Sequence, residues 1–362
     1  MSFFSSALAA RRRAPSRSLA ALVTIILATL VVVPPALAGT ASVPSSIDAT
    51  GSSDASAALN AFIKATPDGS TIVFKAGGTY RLDRGLVLTN RHNLVFEGNG
   101  ATLRANNAGS TWLGGPFNIN QGSSYVTVQD FTLVGSNPNT TTVYNPGQEN
   151  QHGVGIWGSS HIEVAHNTIS HTFGDGVYVS GNDSTHVSSD SVWIHDNTFT
   201  YAGRNGIALT AASNVTIEGN RFDKVGLHDF NIEPDYAYQT VAFVTFRNNT
   251  VGSYSLSGSY IGFFFNIVSL AAATVHDVTV TGNTVTGNPH AGYDGTARAL
   301  NTKVNLSRAA RIVFTSNTSP TAAAGPVLYF ANVDGATVTG NTQPLSSGSL
   351  ASFANCTSVV SQ

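Results

Sequence analysis

Hydrophobic and polar positions alternate along most of this chain, and one alternating segment recurs. It reads HIEVAHNTI at 161–169, SVWIHDNTF at 191–199, NVTIEGNRF at 214–222 and FVTFRNNTV at 243–251, then DVTVTGNTV at 277–285, RIVFTSNTS at 311–319 and GATVTGNTQ at 335–343. Looser copies are NLVFEGNGATL at 93–103 and YVTVQDFTL at 125–133. Within each copy the apolar residues fall on every second position, as in Val215 and Ile217 against Thr216 and Glu218. That is the period of a strand with one buried face.

The repeated Asn residues stand at 167, 197, 220, 249, 283, 317 and 341, so the steps are 30, 23, 29, 34, 34 and 24. A period of 20–50 residues marks a stacked array, and the uneven step disfavours a propeller. The expected fold is all-β: a single-stranded right-handed parallel β-helix, a solenoid whose strands stack about 4.8 Å apart around one apolar column. The repeated Asn should sit at the bend after the strand in the left-handed conformation, its amide bonding to the Asn above and below.

The two ends read differently. Ser53–Lys64 predicts a short capping helix over 53–64, with Asp54 as its cap and Ala57, Ala58, Leu59, Phe62 and Ile63 on its apolar side. The polar tail over 343–362 is expected to cover the other end only loosely. Arg11, Arg12, Arg13 and Arg17, the apolar run Leu19–Val33 and Ala36-Leu37-Ala38 have the form of an export signal over 1–38. The domain then spans 39–362, secreted and with no membrane partner once the signal is removed.

Composition narrows the partners. The chain has 18 Lys+Arg and 20 Asp+Glu. Without the four signal arginines, 14 against 20 leaves a net charge of −6, which argues against a nucleic-acid partner. The single Cys356 cannot form an internal disulfide, so stability must come from a continuous core.

A resemblance emerges at residues 47–88, IDATGSSDASAALNAFIKATPDGSTIVFKAGGTYRLDRGLVL. This segment resembles the start of pectin-lyase-like right-handed β-helix proteins, through Ser70–Phe74 and Ala76-Gly77-Gly78-Thr79-Tyr80, with Lys75 in place of their usual Pro. The resemblance implies a coil of that superfamily, which includes polysaccharide lyases, glycoside hydrolases, uronate epimerases, phage tailspikes and adhesins. A polysaccharide or oligosaccharide is the substrate it implies.

A second strand precedes the Asn-terminated one. It reads HGVGIWG from 152, DGVYVSG from 175, NGIALTA from 205 and HDFNIEPD from 228. Aligning the inward residues stacks Val154, Val177, Ile207 and Phe230. His152, Asp175, Asn205 and His228 then share a column, flanked by Arg204 and Asp229, while Trp157, Tyr178, Asn231 and Glu233 face outward. Polar groups converging on a rigid face are the usual form of a site, so His152, Asp175, Arg204, His228, Asp229 and Glu233 are the catalytic candidates. Trp157, Tyr178, Asn205 and Asn231 are the substrate-binding candidates, the two aromatics as a platform for a sugar ring, with Gly155 and Ala208 leaving room for it.

Two reactions fit these residue types. In elimination or epimerisation of a uronic acid, His228 or His152 would take the C5 proton, Arg204 would neutralise the carboxylate and Tyr178 would donate a proton. In hydrolysis, Asp175 would work with Asp229 or Glu233. The resemblance and Arg204 favour the lyase or epimerase type. The chain departs from two patterns of the superfamily, however: it has neither the hydrolase Gly-His-Gly with Arg-x-Lys nor the epimerase Asp-Pro-His. A non-catalytic carbohydrate-binding or adhesin coil is a third reading. No cofactor is expected, although Asp229, Glu233 and Asp235 could together hold a calcium ion. His161, His166, His171, His186 and His195 read as solvated turn positions.

Overall fold

The computed structural model describes residues 39–106, 115–138, 144–257, 261–268, 273–287 and 300–362; the expected signal segment lies outside them. Every strand pairing among these residues is parallel. One sheet of 20 strands runs the length of the coil, and one of nine accompanies it over residues 50–285. The chain is a right-handed parallel β-helix with up to three strands per turn. One turn comprises Val154–Trp157, Ser160–Ala165 and Thr168–Ser170, and the next Val177–Ser180, Ser189–His195 and Thr198–Thr200.

Register follows the alternation. Val154, Val177, Ile207 and Phe230 are direct partners on successive turns, as are Ile156, Val179, Leu209 and Ile232. All eight are fully buried, because an apolar residue on the inward side of every strand has no route to water once the turns stack. Aromatic rings deepen the column: Phe199 lies 4.8 Å from Phe222, and Phe230 4.7 Å from Phe246.

The Asn column forms the expected ladder. The side-chain amide of each of Asn167, Asn197, Asn220, Asn249, Asn283 and Asn317 donates to Oδ1 of the next Asn over 2.8–3.1 Å. The same oxygen also accepts the main-chain N–H. The left-handed residue, though, is the one before each Asn. His166, Asp196, Gly219, Asn248, Gly282, Ser316 and Gly340 have φ between 53° and 66°. The Asn itself is turned inward, where its amide can replace missing backbone partners.

The helix spans Ser56–Ala65 and buries Leu59 and Ile63. Asp54 ends the preceding strand and accepts from the Ser56 N–H at 2.9 Å. The tail does not lie loosely over the other end. Ala351–Ala354 and Val360–Ser361 pair with Leu328–Thr339, and Leu345–Ser347 pairs with Ala323–Ala324, so these residues continue the coil.

Candidate functional site

Four successive first strands present the face expected to carry chemistry. The main-chain ladder runs from Gly153 N–H to Asp175 O, Gly176 to Asn205 and Gly206 to His228, which places His152, Asp175, Asn205 and His228 in one column at the corner before the strand. Arg204, one residue earlier on its turn, reaches across that column.

Arg204 is the centre of the face. Its guanidinium donates to Asp175 Oδ2 at 3.2 Å, ion-pairs with Glu233 Oε1, and lies 4.0 Å from Glu149 Oε2. Glu149 was not among the sequence candidates. It follows a single 3-10 turn, Pro146–Gln148, outside any strand period, and Tyr144 Oη donates to it at 2.7 Å. Burial works against the Arg204 charge, but three carboxylates raise its pKa above the ordinary value.

Asp175 is fully buried beneath this guanidinium. Burial pushes its carboxyl up to about 7, against the pull of Arg204, and its Oδ1 accepts the Asn205 N–H at 3.0 Å. Asn205 Oδ1 in turn accepts the His228 N–H at 3.2 Å. These contacts make Asp175 and Asn205 supports that hold Arg204 and the turn corners, rather than groups able to touch a ligand.

The two histidines are arranged alike. His152 Nδ1 accepts the Asp175 N–H at 3.1 Å, and His228 Nδ1 accepts the Phe263 N–H at 2.9 Å. Burial, reinforced by Arg204, pushes each ring down to about 3. Each is therefore neutral with its proton on Nε2, and its basic lone pair is already used by the main chain. Neither ring is set up as the base that elimination would need.

Trp157 and Tyr178 come together, but with His152 between them in role: Tyr178 stacks on His152 at 4.5 Å, and Trp157 is tilted 6.1 Å from both rings. Gly155 does not leave space for a ligand. A Cβ there would strike the Trp157 indole, so the glycine is the notch in which that ring lies. The Tyr178 hydroxyl shares a hydrogen bond with Thr210 at 3.2 Å, and burial pushes its pKa up to about 12. Asn231 is buried and accepts from Asn266 at 2.7 Å, while its own Nδ2 has no partner.

Asp229 does not belong to this face. It occupies the register position of Gly153, Gly176 and Gly206, where a Cβ would strike Ile169, Phe199 and Phe222 respectively. At its own turn that third-strand column narrows from Phe222 to Val251, which makes room for a side chain. The carboxyl is fully buried, neither oxygen has a hydrogen-bond partner, and burial raises its pKa well above the ordinary Asp value, with Asp223 adding to the effect. Asp229, Glu233 and Asp235 therefore cannot converge on one calcium ion, since the first is sealed in the core and the second is bound to Arg204.

Exposed walls flank the face, and the sequence reading missed them. The loops at 182–187 and 234–239 meet where His186 stacks on Tyr238 at 3.9 Å and the Tyr238 hydroxyl donates to Asp183 at 3.1 Å. Tyr236 stacks on Tyr238 and is 54% exposed. A cleft of about 370 Å³ opens beside Trp157, lined by Thr89, Asn120, Gln121, Asn182, Asp183 and Ser184. Asp235 is exposed on this wall, and its carboxyl is raised only by partial desolvation and the neighbouring Glu233.

The sequence matches the right-handed beta helix region family over residues 81–229, 117–319 and 189–357. The chain therefore belongs to that family, and its fold is the right-handed parallel β-helix. It is similar to the gene product 12 N-terminal fragment of bacteriophage Phi29, at 17% identity and TM-score 0.56, covering 86% of this chain and 56% of that one. The chain thus spans little more than half of that fragment. It is also similar to a hyperthermoactive exopolygalacturonase from Thermotoga maritima, at 11% identity and TM-score 0.53, covering 89% of this chain and 91% of that one. No curated protein matches the sequence.

Proposed function

We propose that this protein is an exported glycan-cleaving enzyme of the hydrolase type, working through carboxylates grouped around Arg204. The observation that carries this reading is the enclosure of Arg204 by Asp175, Glu233 and Glu149. A uronate lyase or epimerase needs a cation free to neutralise the substrate carboxylate and a base with an open lone pair. Here the cation is already neutralised and both imidazole Nδ1 atoms accept main-chain N–H groups.

Hydrolysis needs one protonated and one ionised carboxyl beside the scissile bond. Asp235, two residues along the chain from Glu233 and open to solvent, donates a proton to the leaving glycosidic oxygen. Glu233, held by Arg204, accepts a proton from the attacking water. The C–O bond to the leaving sugar breaks as the bond to water oxygen forms. Asp175 positions Arg204 from below. Trp157 and the loop tyrosines supply flat surfaces for sugar rings. The exopolygalacturonase noted above is a glycan-active instance of the same coil, which makes polysaccharides the first ligand class to test.

The test is a panel of plant, algal and bacterial glycans, read for new reducing ends and for the ultraviolet absorbance of unsaturated uronates. New ends without that absorbance are expected. The absorbance itself would overturn the reading in favour of elimination, and glycan retention with neither signal would identify a binding coil.

A further inference from the structure

A second polar cluster occupies a different corner of the coil, between the second and third strands. His166 and Asp196 are the left-handed residues immediately before Asn167 and Asn197, so they project from the same corner on adjacent turns. His195 precedes Asp196 and is paired in register with Ala165, whose methyl leaves room for an imidazole above it. One ligand-capable atom from each of His166, His195 and Asp196 lies within 4.8 Å of the others. His195 Nδ1 is 2.8 Å from Asp196 Oδ2, and the His166 ring stands edge-on to the His195 ring at 5.5 Å.

The far side of His195 is held as well. Its Nε2 lies 3.0 Å from Glu163 Oε1, and Glu163 Oε2 accepts from the Thr127 hydroxyl at 2.9 Å. Trp193 stacks on the ring at 3.7 Å. His195 is only 7% exposed, far from the solvated turn position that its sequence context suggests, whereas His166 and Asp196 are exposed. An imidazole that gives its outer N–H to a fixed carboxylate presents the other nitrogen's lone pair in one direction, and metal-binding histidines are oriented in this way.

We propose that His166, His195 and Asp196 form a binding site for a divalent transition-metal ion that clamps two adjacent turns together. Two imidazoles and one carboxylate, with further positions open to water, suit zinc or copper, while calcium and magnesium prefer all-oxygen shells. The site shares no residue with the Arg204 face and is independent of the reaction assigned to it.

The experiment uses the full chain, stripped with a chelator and titrated with Zn²⁺ and separately with Ca²⁺, followed by calorimetry and thermal unfolding. Zn²⁺ should bind with one-to-one stoichiometry and raise Tm, and Ca²⁺ should do neither. His166→Ala, at an exposed position, should keep the fold and lose both responses. Glu163→Gln should retain binding weakened by about tenfold, the usual effect of removing an outer-shell carboxylate. A wild-type protein indifferent to Zn²⁺, or a His166→Ala protein that binds it as tightly as wild type, would overturn the proposal.

Discussion

Two polar columns run along this coil, and they are built on opposite rules. In the Asn ladder every rung repeats the same residue, and each oxygen accepts two N–H groups from its neighbour. On the Arg204 face neighbouring rungs differ, three carboxylates share one guanidinium, and His152 Nε2 and Asn231 Nδ2 are buried without partners. A stack of identical rungs can satisfy itself, so polarity there is structural. Once the rungs differ, groups are left over, and leftover polar groups on a rigid face are where ligands are recognised.

The comparison is broken most sharply by removing chemistry from one column and leaving the other intact. Glu233→Gln should cut turnover on the cleaved glycan by about 10²-fold or more, as loss of a general base does, with only a partial fall in Tm because Arg204 keeps Asp175 and Glu149 as counter-charges. Steady-state kinetics beside a melting curve would show whether the two readouts separate. Asn220→Ala should do the reverse. It leaves the Asn197 N–H and amide without their acceptor in a buried site, at a cost of about 2–4 kcal/mol, with glycan turnover unchanged. Urea unfolding measures it, and a loss as small as that of an exposed Asn would mean the ladder contributes little.

Asp229 sharpens the comparison from inside the core. Asp175 and Asp229 both have folded pKa values above the ordinary Asp value. Their contribution to stability is therefore complete below about pH 4 and is lost as pH rises through the folded values, about 7 for Asp175. Asp229→Asn cannot ionise, so its stability should decline less between pH 4 and neutrality than that of the wild type. Parallel slopes in the two proteins would place the Asp229 carboxyl in water rather than among core side chains. The smallest effect belongs to Trp157→Ala. It should weaken glycan binding by about 1 kcal/mol, the scale of one aromatic contact, because Trp157 packs on its own strand as much as it faces a ligand.

Much of this architecture was legible in the chain. A period-2 alternation repeated nine times leaves few ways to bury its apolar side, and the pairings of Val154, Val177, Ile207 and Phe230 follow directly from aligning it. The membership of the face was also readable, since His152, Asp175, Arg204 and His228 do share one ridge. Their roles were not. Whether an imidazole is a base depends on what its Nδ1 accepts, and that partner is a main-chain N–H one turn away, at a residue 23 or 35 positions on. Glu149, Tyr236 and Tyr238 were invisible because loops carry no period to align.

Local alternation and turn residues thus settle the coil, since each strand needs only a like neighbour above and below. Asp229 shows where that logic stops: by sequence it stands beside His228, and by structure it turns into the core because Val251 is smaller than Phe222. His166, His195 and Asp196 show the converse, residues some thirty positions apart that stacking makes neighbours. Which side of the wall a charge faces, and what it meets there, depends on side-chain volume and pairing across turns. Only the assembled stack decides those.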